Sequence, residues 1–237
     1  IKLYIGCNTD VIRKIIDNKE NDMRSIVCYE TQHGSAKKLA QAIASKLTAG
    51  DDKPCLCVNV DTPFQAEDEN TYDSLVLVFG FRGPYTAQLT KLFLQRMQGK
   101  LNYKNLVVVG EGLFSEKEFP SVAEAIADIA KPASFNKFFM AGQLRVDTLT
   151  MEEKAILGKF SELTGMVIED MGEFSEETAA KIADEVAATL EACPVVEDPN
   201  AGQKRWICSV CGHVHVGDNP PEQCPTCKQP ASVFKEM

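Results

Sequence analysis

A chain of 237 residues with a formal net charge of -9, 44% hydrophobic and 25% charged residues, has the make-up of an ordinary globular protein with room for one medium domain and one small one. The acidic balance argues against a nucleic-acid partner, which calls for clustered Lys and Arg. No apolar run reaches the length that spans a bilayer.

Residues 1–22 lack the basic-then-apolar layout of a secretory signal and begin without Met. They are expected to form an N-terminal extension, either a docking arm or the tail of an upstream domain. With nine cysteines in a chain of this size and no secretory signal, a reducing, cytoplasmic setting is expected rather than a disulfide scaffold. Cys28, Cys55 and Cys57 fall in apolar runs and read as buried structural thiols.

From Met23 onward strand and helix signals alternate. Residues 25–29 form a short apolar strand that runs into Thr31-Gln32-His33-Gly34-Ser35-Ala36. A helix follows with Leu39, Ile43 and Leu47 on one stripe and Gly50 as its stop. Residues 55–60 and 74–79 give a second and a third strand, followed by a helix carrying Leu89, Leu92, Phe93 and Met97. Residues 106–110 are the fourth strand, 121–130 a helix with Val122, Ile126 and Ile129 inward, and 138–142 the fifth strand. Helices are expected near 151–163 and 176–192, the second capped by Ser175. Short apolar strands separated by helices predict an α/β domain over residues 23–192, with a five-stranded parallel sheet in the order 2-1-3-4-5.

Two prolines, a glycine and acidic residues then mark 193–203 as a linker. Beyond it, Cys208-x-x-Cys211 and Cys224-x-x-Cys227 have the spacing of two tight turns that close a tetrahedral four-sulfur site suited to iron or zinc. So short a segment buries little apolar area, so ligation is expected to supply much of its stability. His213 and His215 alternate with Val214 and Val216 and read as a solvent-facing strand edge, not as ligands.

The run WICSVCGHVHVGDNPPEQCPTCKQPASVF resembles the short rubredoxin domain at the C-terminus of rubrerythrins, and the resemblance covers residues 204–237. It rests on the aromatic two residues before the first Cys, the Gly after the second, the loop with Gly217 and Pro221, the Cys-Pro-x-Cys pair and Phe234. It implies one iron on four Cys ligands, with zinc the lesser expectation.

The loop at 31–36 has the make-up of an anion cradle at a helix start: Gly34 for the tight turn, hydroxyls at Thr31 and Ser35, and free N–H groups. In the expected strand order, ligands bind between the first and third strands. The loop after strand three brings Phe81, Arg82, Gly83 and Tyr85 there, and the loop after strand four brings Glu111, Gly112 and Phe114. Over roughly residues 24–192 the chain is similar to flavodoxin-like domains, on RSIVCYETQHGSAKKLAQAIASKL and YDSLVLVFGFRGPY, with FFMAGQL at strand five resembling the branch that includes bacterial protoporphyrinogen dehydrogenase. The resemblance implies FMN, held by Thr31, Gln32, His33, Gly34, Ser35, Ala36, Phe81, Arg82, Gly83, Tyr85, Glu111 and Gly112, with its phosphate on the first loop. Family members usually carry Thr where this chain has Ala36, so one hydroxyl contact is missing and backbone donors are expected to do more of the holding.

Together these readings predict an oxidoreductase-class electron-transfer flavoprotein that passes electrons between FMN and a rubredoxin centre and on to redox protein partners. Two alternatives stand beside it. One is a porphyrinogen or quinone oxidoreductase that uses the rubredoxin as its electron outlet. The other is a zinc-ribbon docking module of a larger complex.

Overall fold

A computed structural model describes residues 24–49, 54–61, 72–81, 88–96, 104–113, 116–193, 200 and 202–236. Five strands, β1 (Ser25–Glu30), β2 (Leu56–Asn59), β3 (Ser74–Gly80), β4 (Asn105–Gly112) and β5 (Ser134–Ala141), form one sheet in the order β2-β1-β3-β4-β5. Every neighbouring pair in it runs parallel. Helices α1 (Ser35–Thr48), α2 (Gln88–Arg96), α3 (Phe119–Ala130), α4 (Met151–Thr164) and α5 (Glu176–Ala192) complete the unit.

The central strands are apolar throughout because both their faces are covered. On one face Ile26, Leu75, Leu77, Phe79, Leu106 and Val108 pack with Phe93 and Leu94 of α2 and with Phe119, Ala123, Ile126 and Ala130 of α3. On the other, Val27, Val76, Val78, Val107 and Val109 meet Leu39 and Ile43 of α1 and Ile182, Val186 and Leu190 of α5. The period-two alternation of β1, β3 and β4 deals each residue to one face or the other.

Most element ends fall within two residues of the sequence expectation, and two elements depart from it further. β5 begins at Ser134, four residues early, because its mixed segment Ser134-Phe135-Asn136-Lys137 lies at the sheet edge and pairs with β4 without needing full burial. In α2 the buried side chains are Thr90, Phe93 and Leu94, whereas Leu89 and Leu92 are exposed. Gly50 and Met97 lie outside the described residues.

Helix α4 starts with a reciprocal cap. Thr150 Oγ1 accepts from the Glu153 N–H and the Thr150 N–H donates to Glu153 Oε2. It buries none of its residues, and Met151, Ile156, Phe160 and Leu163 stand exposed along it. Helix α5 opens with Ser175 accepting from the Thr178 N–H, the cap the sequence predicts.

The C-terminal residues form a second, small sheet. Strands β6 (Arg205–Cys208), β7 (Val214–Val216) and β8 (Phe234–Glu236) lie antiparallel in the order β7-β6-β8. Its core is slight: Cys208, Cys224 and Phe234 are buried, with Trp206, Cys227 and Val233 packed against them. Such an apolar nucleus is too small to hold a domain by itself, which leaves a structural task for whatever the cysteines bind.

Candidate functional site

The four cysteines come together as the spacing predicts. The sulfurs of Cys208, Cys211, Cys224 and Cys227 all lie within 4.8 Å of one another. Cys208 Sγ is 3.6 Å from Cys227 Sγ, and Cys211 Sγ is 3.6 Å from Cys224 Sγ. Sulfurs each about 2.3 Å from one ion stand about 3.8 Å apart along the edges of a tetrahedron. A disulfide would require about 2 Å. The arrangement fits a single metal ion.

Two copies of one turn build it. In the first, the Gly212 N–H donates to the Cys208 carbonyl at 2.8 Å and the Cys208 N–H to the His213 carbonyl at 2.8 Å. In the second, the Lys228 N–H donates to the Cys224 carbonyl at 2.9 Å and the Cys224 N–H to the Gln229 carbonyl at 2.7 Å. The residue after each pair lies in the left-handed region, Gly212 at φ 75° and Lys228 at φ 62°. That bend turns successive N–H groups inward. The N–H groups of Val210 and Cys211 point at the Cys208 sulfur, and those of Thr226 and Cys227 at the Cys224 sulfur. His213 and Gln229 supply the matching N–H to Cys211 and Cys227.

These donors set the thiol chemistry. Burial works against ionisation at Cys224, yet its two N–H partners and the neighbouring thiols bring it down to about 6. Cys208 is lowered from the usual thiol value by the same balance. Four sulfurs this close do not all ionise without a cation. Cys211, its sulfur desolvated by the cluster, is pushed up to about 12, and Cys227 is raised as well. An all-thiolate donor set with oriented N–H groups suits iron or zinc.

Neither histidine joins the cluster. His213 lies edge-on to Phe234 at 6.5 Å with its Nδ1 3.3 Å from Thr226 Oγ1, and His215 pairs with Trp206 across β6 and β7. Both are half-buried, where the sequence reading has them facing solvent. β7 is nevertheless an edge strand of the small sheet, paired only with β6, as the sequence pattern suggests.

The second candidate lies at the C-terminal ends of β1, β3 and β4. Gly34 is the N-cap of α1 at φ 91°, and a side chain there would meet nothing within 4 Å, so only the backbone conformation requires glycine. Its N–H donates to Thr31 Oγ1 at 2.9 Å, which leaves the Thr31 hydroxyl proton for another acceptor. No acidic side chain occupies the first turn of α1, and Gly34 offers no side-chain cap, so the opening N–H groups at Ser35 and Ala36 suit an anion. The Ala36 side chain is buried in the core under α1, so its backbone N–H is what it can contribute. Gln32 is exposed at the rim. His33 is engaged: its Nε2 lies 3.0 Å from Glu153 Oε1, which ties the loop to the capped start of α4.

Phe81 requires a correction. Its ring is 1% exposed and packs edge-on against Phe119 and Phe139, with centroids at 5.9 and 6.5 Å. The core has taken the ring, so it offers no face to a planar ligand. The Phe81 N–H donates to the Glu111 carbonyl, and a side chain at Gly112 would strike the Phe81 carbonyl at 2.3 Å. Gly112 thus serves a close approach of two strand ends. Arg82, Gly83, Tyr85 and Phe114 lie outside the described residues.

Two carboxylates mark the mouth. Glu30, at the end of β1, accepts from both the N–H and the hydroxyl of Thr90 in α2 at 2.8 Å each. The sequence reading missed it, though a charged residue closing an apolar strand was a usable signal. Glu111, at the end of β4, is 4% exposed and accepts from Ser35 Oγ at 2.8 Å.

A five-stranded 2-1-3-4-5 α/β domain with an anion-suited helix start at its switch point, followed by a four-thiolate site on a small antiparallel sheet, defines a flavodoxin-type scaffold carrying a rubredoxin-like module. The flavodoxin domain family matches residues 26–166, and the rubredoxin-like domain of rubrerythrin matches residues 206–235. The chain belongs to the flavodoxin domain family and carries a C-terminal rubrerythrin-type rubredoxin-like domain. A putative rubrerythrin of Methanocaldococcus jannaschii is 50% identical over 30 residues, which are 13% of this chain and 15% of that protein. The chain therefore spans only a small part of that relative's length.

Among solved structures, a flavodoxin of Streptococcus pneumoniae TIGR4 aligns at 17% identity with a TM-score of 0.44, over 70% of this chain and 98% of the other. The flavodiiron core of Flv1 from Synechocystis sp. PCC6803 aligns at 15% with a TM-score of 0.45, over 76% and 41%. These two domains with their cysteine cluster fit an electron-transfer role. The flavodoxin fold implies FMN and the rubredoxin-like domain implies iron. The N-terminus of α1, without a side-chain cap or an acidic first-turn residue, the free Thr31 proton and the unobstructed Gly34 turn fit the phosphate of such a flavin. None of the described helices is long and apolar enough to cross a membrane.

Proposed function

We propose that this protein is an electron carrier that pairs an FMN site on its flavodoxin domain with one iron in the Cys208–Cys211–Cys224–Cys227 site, and that it serves separate redox protein partners as donor and acceptor. When bound, the flavin supplies one- and two-electron chemistry and the iron one-electron chemistry, a combination suited to stepping pairs of electrons down to single ones. The observation that carries the reading is the four-sulfur cluster with its paired N–H donors, on the same chain as a flavodoxin domain.

The residues divide the work. Thr31 and the N–H groups at the start of α1 would hold the phosphate, and Gly34 shapes the turn that exposes them. The His33–Glu153 pair braces that loop against α4. At the other centre the N–H donors to Cys208 and Cys224 offset the negative charge of the thiolates. Residues 193–203 act as a linker that keeps the small domain near the flavin domain and raises its effective concentration there. No cysteine among the described residues is paired in a disulfide, which suits a reducing, cytoplasmic compartment.

An absorption spectrum of the purified protein, with metal and flavin analysis, tests this directly. Flavin bands together with thiolate-to-iron charge transfer, at one iron per chain, are expected. Zinc without flavin would overturn the reading and leave a docking module in its place.

A further inference from the structure

Glu111 is a buried carboxylate placed against the first residue of α1. Its Oε2 lies 2.8 Å from Ser35 Oγ, and the residue is 4% exposed. Gly142, just after β5, makes the room: a side chain there would lie 2.4 Å from Glu111 Oε1, whereas one at Gly80 would stand at an ordinary 4.0 Å from Oε2. The carboxylate is thus held between the chain after β5 and the opening of α1. It approaches a helix start that, with no acidic residue in its first turn and no side-chain cap, is otherwise suited to an anion.

Ser35 has a single hydroxyl proton. Donated to Glu111, that proton is not available to a second acceptor. A carboxylate at this point also draws on the same positive end of the helix that an incoming phosphate would use, and it repels that phosphate. From this geometry we infer that Glu111 is a resident anion that competes with the flavin phosphate for the N-terminus of α1. It lowers the preference of the site for FMN over unphosphorylated riboflavin, and so acts as a specificity-determining residue. The inference rests on the flavin reading given above. The missing hydroxyl at Ala36 acts in the same direction, because it too leaves the phosphate to backbone donors.

Titration of the full chain and its Glu111→Gln and Ser35→Ala variants with FMN, riboflavin and inorganic phosphate tests the inference, with an unfolding midpoint recorded for each. Like charges within hydrogen-bonding range of one hydroxyl oppose each other strongly, so Glu111→Gln is expected to tighten FMN about tenfold or more and leave riboflavin unchanged. Ser35→Ala in the otherwise natural chain is expected to weaken FMN by less than about threefold, because its proton already serves Glu111. An unchanged or weaker FMN affinity in a folded Glu111→Gln variant, or equal shifts for both flavins, overturns the inference. If Glu111→Gln does not fold, Ser35→Ala decides: a loss of about tenfold for FMN alone would show the hydroxyl on the phosphate and overturn it. If the natural chain binds neither flavin, the flavin reading fails by itself. In that case a gain of phosphate binding in Glu111→Gln still upholds the competing carboxylate, and no gain overturns it too.

Discussion

The two metal turns carry different residues at their shared left-handed position, which permits a paired test with opposite signs. Gly212 and Lys228 occupy the same left-handed position after their cysteine pairs, at φ 75° and φ 62°. A side chain at Gly212 would meet nothing within 4 Å, so replacing it brings a backbone cost without a clash. For an L-residue that cost is about 1–2 kcal/mol. Lys228 already bears it; its side chain makes an exposed contact from Nζ to the Pro225 carbonyl at 3.0 Å, and Gln223 Nε2 donates to its backbone carbonyl at 2.8 Å, a bond that a glycine would keep. Since so small a core leaves folding coupled to ligation, the difference is read in metal affinity. Gly212→Ala is expected to weaken binding about 5–30-fold, and Lys228→Gly to tighten it by about fivefold. Competition against a chromophoric chelator at fixed pH measures both. If Lys228→Gly weakened binding, or if both substitutions moved affinity the same way, the argument from matched turns would be wrong.

Other consequences can be checked alongside. Cys224, at about 6, and the lowered Cys208 favour the thiolate, so their contribution to ligation is present at neutral pH and lost as pH falls through about 6. Cys211, near 12, and the raised Cys227 surrender protons on loading, so calorimetry in buffers of different ionisation enthalpy should find about two protons released per metal near pH 7.5 and more below pH 6. Gly34→Ala forces an L-residue to φ 91° at the start of α1; flavin titration should show FMN affinity reduced about fivefold or more, with the unfolding midpoint lowered by a few degrees for a backbone cost of about 1–2 kcal/mol. Gly110→Ala would set a Cβ 2.3 Å from the Phe119 ring and should destabilise the flavodoxin domain by about 1–3 kcal/mol in denaturant titration. Thr150→Ala removes the α4 cap and should cost that helix about 1 kcal/mol, seen as faster amide exchange over residues 151–154.

Local chemistry made much of this protein readable from its sequence. Cys-x-x-Cys spacing constrains sulfurs within a few bonds of each other, so both ligand pairs followed from the chain alone, as did the glycine at the first turn. The continuous apolar runs of β3 and β4 announced strands buried on both faces, and their alternation with helices limited the strand order. Ser175 and the stripe of α1 followed from cap chemistry and period. What the sequence could not carry was which side chains meet after the chain has closed. Phe81 looked like a ligand face beside Arg82 and Gly83, but its ring is spent on Phe119 and Phe139, residues 38 and 58 positions away. The Lys228 conformation was hidden because nothing but the repeat of the first turn requires it. The meeting of Ser35 with Glu111, 76 residues apart, arises only when β4 lies beside β3 and α1 crosses the same sheet face. Spacing within a motif is a property of the covalent chain; proximity between motifs is a product of sheet order and burial, and here that proximity set a carboxylate at the mouth of the anion loop.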